Sequence, residues 1–329
     1  MATKTSSPDS LPVVSMGRLI RVALFPSAIS DLFVGIALAH LTGWPKLALP
    51  WFLIPASLGI YHGAMALNDW VDRHDDARTR PERPIPSGEI PAPLALSISL
   101  ILLLGGLMWA TAAGPIAGAW MLGVAALAVL YDVAGRGPWL GPMLLGLCRA
   151  GNLGAGLVSP WLIGAVDRPR VELLWLAVLY GAHVFFISRL GRLEDDEDDA
   201  PLGDRPTRAL RGVAITRLLI PVVGLAVLGV ADGSEGLSTA LTLGLVLAAG
   251  LAARGAYLSL RTLQRGAQDG WTRGSVGQAT GQSLRGLPTF TGAMASIGFF
   301  LGPTCPSALL WALGGAWLSG KLRARFPLT

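Results

Sequence analysis

Charged residues are scarce in this chain of 329 residues, since only 14% are Asp, Glu, Lys or Arg and 52% are hydrophobic. A soluble domain normally carries about 25% charged residues, so the composition excludes an ordinary soluble enzyme. The apolar residues also come in blocks of roughly 17–25, the length that spans a hydrocarbon core. The sequence therefore predicts an all-α, polytopic membrane protein.

Cysteine and histidine are also rare. The two cysteines, Cys148 and Cys305, provide neither a disulfide framework nor the spacing of a metal-binding motif. The four histidines are scattered along the chain, which argues against a metal site built from imidazoles. Any metal site in this protein is therefore expected to use oxygen ligands.

The chain shows no cleavable signal peptide, because its first segment (residues 1–17, MATKTSSPDSLPVVSMG) is polar and predicts a short cytoplasmic tail. Residues 18–329 are predicted to form a single transmembrane domain. Its apolar spans fall near 19–42, 51–68, 92–111, 115–131, 141–164, 172–190, 212–231, 237–258, 286–302 and 304–320. The last two spans are short, so we expect a bundle of nine or ten membrane helices.

The distribution of basic residues predicts the orientation of this bundle. With the N-terminus in the cytoplasm, the outward-facing turns carry only Lys46, Arg168 and Arg170, which is a strong positive-inside bias. The basic C-terminal sequence KLRARF then also favours the inside. We expect a protein of a bacterial-type cytoplasmic membrane whose partner is the lipid bilayer and not a nucleic acid.

The loop after the second span (68–90) reads NDWVDRHDDARTRPERPIPSGEI and begins with an acidic cluster. If the span continues as a helix, Asn68, Asp69, Asp72 and Asp76 fall within a sector of about 100°. Like charges at this spacing repel each other, so a cation is expected between them. Oxygen ligands of this kind suit Mg²⁺.

A second acidic loop (188–211) follows four spans later and reads SRLGRLEDDEDDAPLGDRPTRALR. Asp195 and Asp199 share one face if the sixth span continues as a helix. A solvated run of charges is the alternative interpretation of this segment. Because two such clusters lie on the same side of the membrane, we expect two cation-binding helix ends and two quasi-repeated units of four helices.

Arginines accompany both acidic clusters, with Arg80 and Arg83 after the first and Arg192 beside the second. Carboxylates, a divalent cation and guanidinium groups together form a site for a diphosphate. A diphosphate site at the mouth of a membrane bundle implies a substrate with a polar head and a long apolar tail. A polyisoprenyl diphosphate fits that description.

The motifs resemble a known family. The pattern N-D-x-x-D-x-x-x-D at Asn68–Asp76, followed by RPxRPIPSG at Arg80–Gly88, resembles the first signature of the UbiA superfamily of intramembrane prenyltransferases. The acidic stretch from Asp195 to Gly203 is similar to the second signature. The resemblance covers essentially the whole chain and implies nine transmembrane helices around a central cavity, with both motifs on the cytoplasmic side.

The resemblance also implies the roles of individual residues. One Mg²⁺ would be held by Asn68, Asp72 and Asp76, and another by Asp195 and Asp199. The residues expected to be catalytic are Asp72, Asp195 and Tyr131. Those expected to bind the diphosphate are Asp69, Arg80, Arg83, Arg136 and Arg192.

Other segments bear on the acceptor. The YD pair at Tyr131 and the stretch GLCRAGN (146–152) are similar to the EboC-like branch of the superfamily. The first span (18–31, RLIRVALFPSAISD) lacks the basic, Trp-containing stretch of members that act on 4-hydroxybenzoate, so we expect another aromatic or lipophilic acceptor. Asp31 lies within a span and either orients this acceptor or pairs with Arg149.

The reaction expected from these residues is Mg²⁺-assisted ionisation of an allylic diphosphate and capture of the prenyl group by the acceptor. An intramembrane terpene cyclase of the same superfamily remains an alternative, as does a non-catalytic lipid-binding member. A cation transporter is disfavoured, because transporter sites usually lie near the middle of the bilayer and these clusters lie at span ends beside arginines.

Overall fold

The computed structural model describes residues 11–40, 50–135, 137–194, 202–231, 238–301 and 304–326, which form helices and turns without a β-strand. This confirms the all-α prediction for the described part of the chain. The helices are α1 (Leu11–Leu19), α2 (Phe25–His40), α3 (Leu53–Val71), α4 (Arg73–Thr79), α5 (Ala92–Ala113), α6 (Pro115–Ala134), α7 (Leu140–Leu157), α8 (Ser159–Leu162), α9 (Leu174–Gly191), α10 (Arg205–Leu218), α11 (Ile220–Ala231), α12 (Thr239–Asp269), α13 (Arg273–Arg285), α14 (Leu287–Ile297) and α15 (Thr304–Arg325).

Six segments of the described chain are long and apolar enough to cross a membrane. They are Val22–His40, Ala92–Ala113, Pro115–Ala134, Val171–Gly191, Arg205–Val227 and Thr239–Asp269. The other predicted spans coincide with α3, α7, α14 and α15. The protein is therefore a helical integral membrane protein, while the count of nine or ten crossings stays a prediction.

The two acidic loops are shorter than the sequence predicted. Of the predicted loop 68–90, residues up to Val71 belong to α3, and α4 follows almost at once. Of the predicted loop 188–211, the first residues belong to α9 and those from Arg205 onward to α10. Hydropathy locates the apolar part of a helix, whereas a helix continues into polar sequence as long as its backbone hydrogen bonds and side-chain propensities permit.

Helices α2 and α7 lie at the centre of the molecule and contribute to both large apolar cores. Their backbones approach closely at two glycines. A Cβ atom built on Gly35 would lie 2.4 Å from the carbonyl oxygen of Leu153, and one on Gly156 would lie 2.4 Å from that of Leu32. Small residues at such crossings let membrane helices pack backbone to backbone, so these glycines permit the close contact of α2 with α7.

The outer faces of the bundle are apolar. On α5, for example, Ile101 is 69% exposed and Met108 is 73% exposed. Exposed apolar surface of this extent would promote aggregation in water, but it is what a helix presents to lipid. The outer surface therefore agrees with a membrane location.

We expect Gly35→Ala to destabilise the protein, because the added methyl group meets a backbone carbonyl that cannot rotate away. Overpacking of this kind costs about 1–3 kcal/mol. The measurement is the thermal midpoint of the detergent-solubilised protein. Gly105→Ala on α5 is the matched control, since a Cβ atom there meets nothing within 4 Å. Equal midpoints for the two variants would contradict the close α2–α7 crossing.

Candidate active site

The segment after α4 folds back as a compact turn. Its three prolines restrict the backbone, and Gly88 adopts a left-handed φ of 78° that favours glycine. The Ile90 amide donates to the carbonyl oxygen of Pro84 at 2.9 Å, and the Ser87 amide donates to that of Arg83 at 2.9 Å. Through this turn the segment returns to α5 with Arg83 directed back toward α3 and α4.

Helix α1 packs against the same turn. Arg18 donates to the carbonyl oxygen of Glu82 and pairs with the carboxylate of Glu89 at 3.3 Å, and the Ser15 hydroxyl also donates to Glu89. Residues 11–17, which the sequence predicted as part of a tail, therefore belong to a helix that supports the acidic motif.

Arg83 joins two acids of the first motif. Its Nη1 atom lies 2.6 Å from Oδ2 of Asp76 and 3.5 Å from Oδ1 of Asp69, and all three residues are buried. Arg21, in the turn between α1 and α2, contacts Asp69 at 3.2 Å and the Asn68 amide oxygen at 3.3 Å. The acids are thus neutralised by arginines that come from two other parts of the chain.

A cavity of about 840 Å³ opens beside this network. It is bounded by α3 and α4, by the ends of α6 and α9, and by α13. The predicted site residues that line it are Asn68, Asp72, Asp76, Arg80, Arg83, Tyr131 and Arg192. Residues from the first motif, from α6 and from the end of α9 therefore meet around one space.

Not every predicted residue can be placed in this cavity. Asp69 is not among the lining residues, because its carboxylate is directed into the pairs with Arg21 and Arg83. Arg136, Asp195 and Asp199 lie outside the described residues. Their predicted roles stay predictions.

Asp132 is a cavity residue that the sequence did not predict. It follows Tyr131 near the end of α6 and is buried, and the Asn68 side chain lies beside it without forming a hydrogen bond of good geometry to either carboxylate oxygen. Its charged neighbours include Asp72 and Arg21. The signals in the sequence are its place directly after the apolar span 115–131 and in the YD pair with Tyr131. Arg21, a charge within the first predicted span and therefore expected to face a cavity or a partner, also lines this cavity, as does Arg273, which was not predicted.

The lining oxygens fit a magnesium ion that shares its ligands. Among the described residues, no three carboxylate, imidazole or thiol groups lie close enough to enclose a metal by themselves. Mg²⁺, however, usually binds through one or two carboxylates and keeps water or substrate phosphate oxygens as its other ligands. The Asn68 amide donates to Asp72 at 3.3 Å, and the carboxylate of Asp132 is unpartnered. This donor set therefore fits Mg²⁺ together with a phosphate ligand.

Arg192 lies between α9 and α6 at the rim of the cavity. It donates to the carbonyl oxygen of Gly135 at 2.9 Å, and its guanidinium carbon lies 5.9 Å from the centre of the Tyr131 ring. This contact brings a cation from the start of the second acidic segment next to the first motif.

A smaller, mostly apolar pocket of about 80 Å³ adjoins the polar cavity. The two share Tyr131, Asp132 and Leu145. Farther inside, the pocket is lined by side chains such as Met65 and Met121. A ligand could therefore place a charged group in the cavity and an apolar group in the pocket.

Of the two alternatives for Asp31, the structure shows the pairing with Arg149, whose Nη2 atom lies 3.1 Å from the carboxylate. The Tyr180 hydroxyl donates to Asp31 at 2.7 Å and accepts from Arg149 at 3.0 Å. Arg149 also lines the apolar pocket. The pairing therefore neutralises a buried carboxylate and leaves the guanidinium beside the apolar pocket.

The fold and the site define a helical membrane protein with an acid- and arginine-lined cavity next to an apolar pocket. The chain belongs to the UbiA prenyltransferase family, because the model of that family matches residues 28–275. The resemblance inferred from the motifs is thereby confirmed.

Two curated relatives illustrate the family. The chain is 33% identical over 180 residues to the bacteriochlorophyll synthase 33 kDa chain of Rhodobacter capsulatus. This alignment covers 50% of this chain and 55% of the relative. It is also 30% identical over 203 residues to digeranylgeranylglyceryl phosphate synthase of Methanopyrus kandleri, and that alignment covers 59% of this chain and 71% of the relative. The chain spans about half the length of the bacteriochlorophyll synthases that it matches.

Solved structures share the fold at low sequence identity. A UbiA homolog from Archaeoglobus fulgidus bound to GPP and Mg²⁺ superposes with a TM-score of 0.55 at 16% identity, covering 85% of this chain and 99% of that one. The apo structure of a UbiA homolog from Aeropyrum pernix K1 superposes with a TM-score of 0.60 at 18% identity, covering 82% of this chain and 97% of that one.

We expect Arg83→Met to destabilise the protein strongly, because it leaves two buried carboxylates without their shared cation. Breaking a buried pair costs about 3–5 kcal/mol, and the readout is the thermal midpoint in detergent. Arg78→Met is the matched control. Arg78 pairs with Asp75 on the surface with its side chain 79% exposed, so little change is expected. A small loss for Arg83→Met would show that these acids do not depend on it.

Proposed function

We propose that this protein is a Mg²⁺-dependent intramembrane prenyltransferase, which moves an isoprenyl group from a polyisoprenyl diphosphate to an aromatic or other lipophilic acceptor. One observation carries the proposal: the polar cavity and the apolar pocket meet at Tyr131 and Asp132. A polyisoprenyl diphosphate has the same division between a charged head and an apolar tail. Membership of the UbiA family supports this assignment.

In this proposal Asn68, Asp72 and Asp76 hold one Mg²⁺, and Asp132 adds its unpartnered carboxylate to the same wall. Asp195 and Asp199 serve the second ion. The bound metal would neutralise the negative charge that develops on the diphosphate. The GPP and Mg²⁺ bound to the homolog from Archaeoglobus fulgidus are consistent with this assignment.

The arginines divide between two tasks. Arg80 and Arg192 line the cavity and would bind the phosphate oxygens, with Arg136 as a further predicted contact. Donors arranged around the place where charge develops lower the barrier to bond cleavage. Arg83 also lines the cavity, but its ion pairs with Asp69 and Asp76 mean that it chiefly holds the acids in place.

The reaction breaks the bond between the allylic carbon and the diphosphate oxygen, and the acceptor then forms a bond to that carbon and loses a proton. The apolar pocket would keep water away from the cationic prenyl group. Tyr131 lies at the junction of the two spaces, where its ring could face this cation. The acceptor would enter near Arg149, beside the same pocket.

The proposed location is a bacterial-type cytoplasmic membrane with the active site facing the cytoplasm. The support is the excess of arginine at the end of the bundle that carries the acidic motifs. The proposed acceptor is any aromatic or other lipophilic molecule, because the names of the curated relatives describe different products.

We expect the purified protein to release diphosphate from geranyl, farnesyl or geranylgeranyl diphosphate when Mg²⁺ and a membrane lipid extract are supplied. EDTA should abolish this release, and Asp72→Asn should lower the rate roughly 10²–10³-fold by removing charge stabilisation. Glu82→Gln is the control, since Glu82 is exposed and does not line the cavity. Full activity of Asp72→Asn would refute the proposal, whereas an isoprenoid product formed without an acceptor would favour the cyclase.

We expect Asp132→Asn to raise the Mg²⁺ concentration required for half-maximal diphosphate release by roughly 10-fold, the lower end of the range for lost metal-site partners. Removing the charge of a buried carboxylate that has no partner should not lower the thermal midpoint. An unchanged Mg²⁺ dependence would show that Asp132 does not act on the metal.

A further inference from the structure

A second arginine site lies where α10, α12 and the junction of α13 with α14 meet. Arg217 on α10 is only 4% exposed. Its Nη2 atom donates to the carbonyl oxygen of Gly286 at 3.3 Å, and its Nε atom has no hydrogen-bond partner. Across the described ranges of the chain, no carboxylate forms an ion pair with it. A buried cation without a counter-charge is costly, and an anionic ligand would offset this cost.

The Arg217 guanidinium borders a cavity of about 130 Å³, many times the ~15 Å³ that one water requires. Arg254 lines the same cavity, as do Gln282 and Ser283. The Thr262 hydroxyl donates to Oε1 of Gln282 at 2.9 Å, which leaves the amide nitrogen of Gln282 as a donor. Among the residues that the structure describes, none of those lining the cavity is acidic. Two guanidinium groups and the amide nitrogen of Gln282 favour an anion.

Glycines provide the space for Arg217. A Cβ atom on Gly255 would lie 2.3 Å from Nη1, and one on Gly286 would lie 2.3 Å from Nη2. The guanidinium therefore fits into a slot between two helices that larger residues would close.

This cavity is separate from the active site. On α13, Thr280 and Leu284 face the active-site cavity, whereas Gln282 and Ser283 face the Arg217 cavity. The two sites thus lie against opposite faces of one helix.

The Arg217 cavity lies at the level where apolar helix segments begin. In α12, residues 239–253 carry no charge and Arg254 ends that run. The uncharged segments 218–231 and 287–301 begin directly after Arg217 and close to Arg285. Apolar side chains beside the cavity are also exposed, with Leu258 42% and Ile215 56% accessible. Such a boundary between apolar and basic surface is where the phosphates of phospholipids lie.

We propose that this cavity binds a phosphate group, held by Arg217 and Arg254, at the depth of the lipid headgroups. The phosphate of an anionic phospholipid is the ligand that matches this position, and free inorganic phosphate is the other source of the same chemistry. Within the described residues, the site shares no lining residue with the active-site cavity.

The experiment compares thermal midpoints of the purified full chain in detergent. The additives are dioleoylphosphatidylglycerol, dioleoylphosphatidylcholine, and sodium phosphate at matched ionic strength. A ligand that binds only the folded state raises the midpoint, so phosphatidylglycerol should stabilise the protein more than phosphatidylcholine does. A matching rise with sodium phosphate would identify free phosphate as a sufficient ligand, and no rise with it would identify the lipid.

The variants Arg217→Gln and Arg254→Gln should each weaken the apparent affinity for phosphatidylglycerol roughly 10-fold, which corresponds to ~1.4 kcal/mol. Arg261→Gln is the matched control, because Arg261 is exposed on the same helix but does not line the cavity. If Arg217→Gln does not fold, Arg254→Gln decides the question. Equal losses for Arg254→Gln and Arg261→Gln, or no preference for phosphatidylglycerol, would overturn the proposal.

Discussion

The burial of carboxylates at one end of a membrane bundle is the constraint on which the active site depends. Asp69 and Asp76 are buried, and a buried carboxylate is costly unless a cation compensates its charge. Arg21 comes from the turn before α2, and Arg83 from the turn before α5. Because these ion pairs connect four segments of the chain, they also fix the wall that presents Asn68 and Asp72 to the cavity.

The site separates charge from apolar surface within a short distance. The polar cavity contains acids and arginines in similar number, so it suits a metal–phosphate complex better than a bare anion or a bare cation. The adjoining pocket is apolar, and Tyr131 and Asp132 belong to both. An ester between an apolar chain and a diphosphate would have its reacting bond at this junction, where Tyr131 and the acids can act on it.

Much of this arrangement could be predicted from the sequence, because helical periodicity put Asn68, Asp72 and Asp76 on one face and the motif suggested Mg²⁺. Periodicity could not show that Asp69 turns away into an ion pair, since its direction depends on Arg21 and Arg83. The position of Asp132 in the cavity could not be predicted either, because the helices that surround this acid at the end of an apolar span are distant from it in sequence. Hydropathy also failed to predict the ends of helices such as α12, which continues from apolar into polar sequence.

Asp132 and Arg217 are both buried groups whose charge the described part of the chain does not compensate with an ion pair, one acidic and one basic. Both are buried, and Asp132 lacks a hydrogen-bond partner at both oxygens while Arg217 lacks one at Nε. Where a carboxylate–arginine pair was required, the chain supplies it, as between Asp31 and Arg149. Among the described residues, the chain pairs its other buried charges in this way, yet Asp132 and Arg217 lie beside cavities. The proposed metal ion at Asp132 and the proposed phosphate at Arg217 would each supply the counter-charge that the described chain itself does not provide.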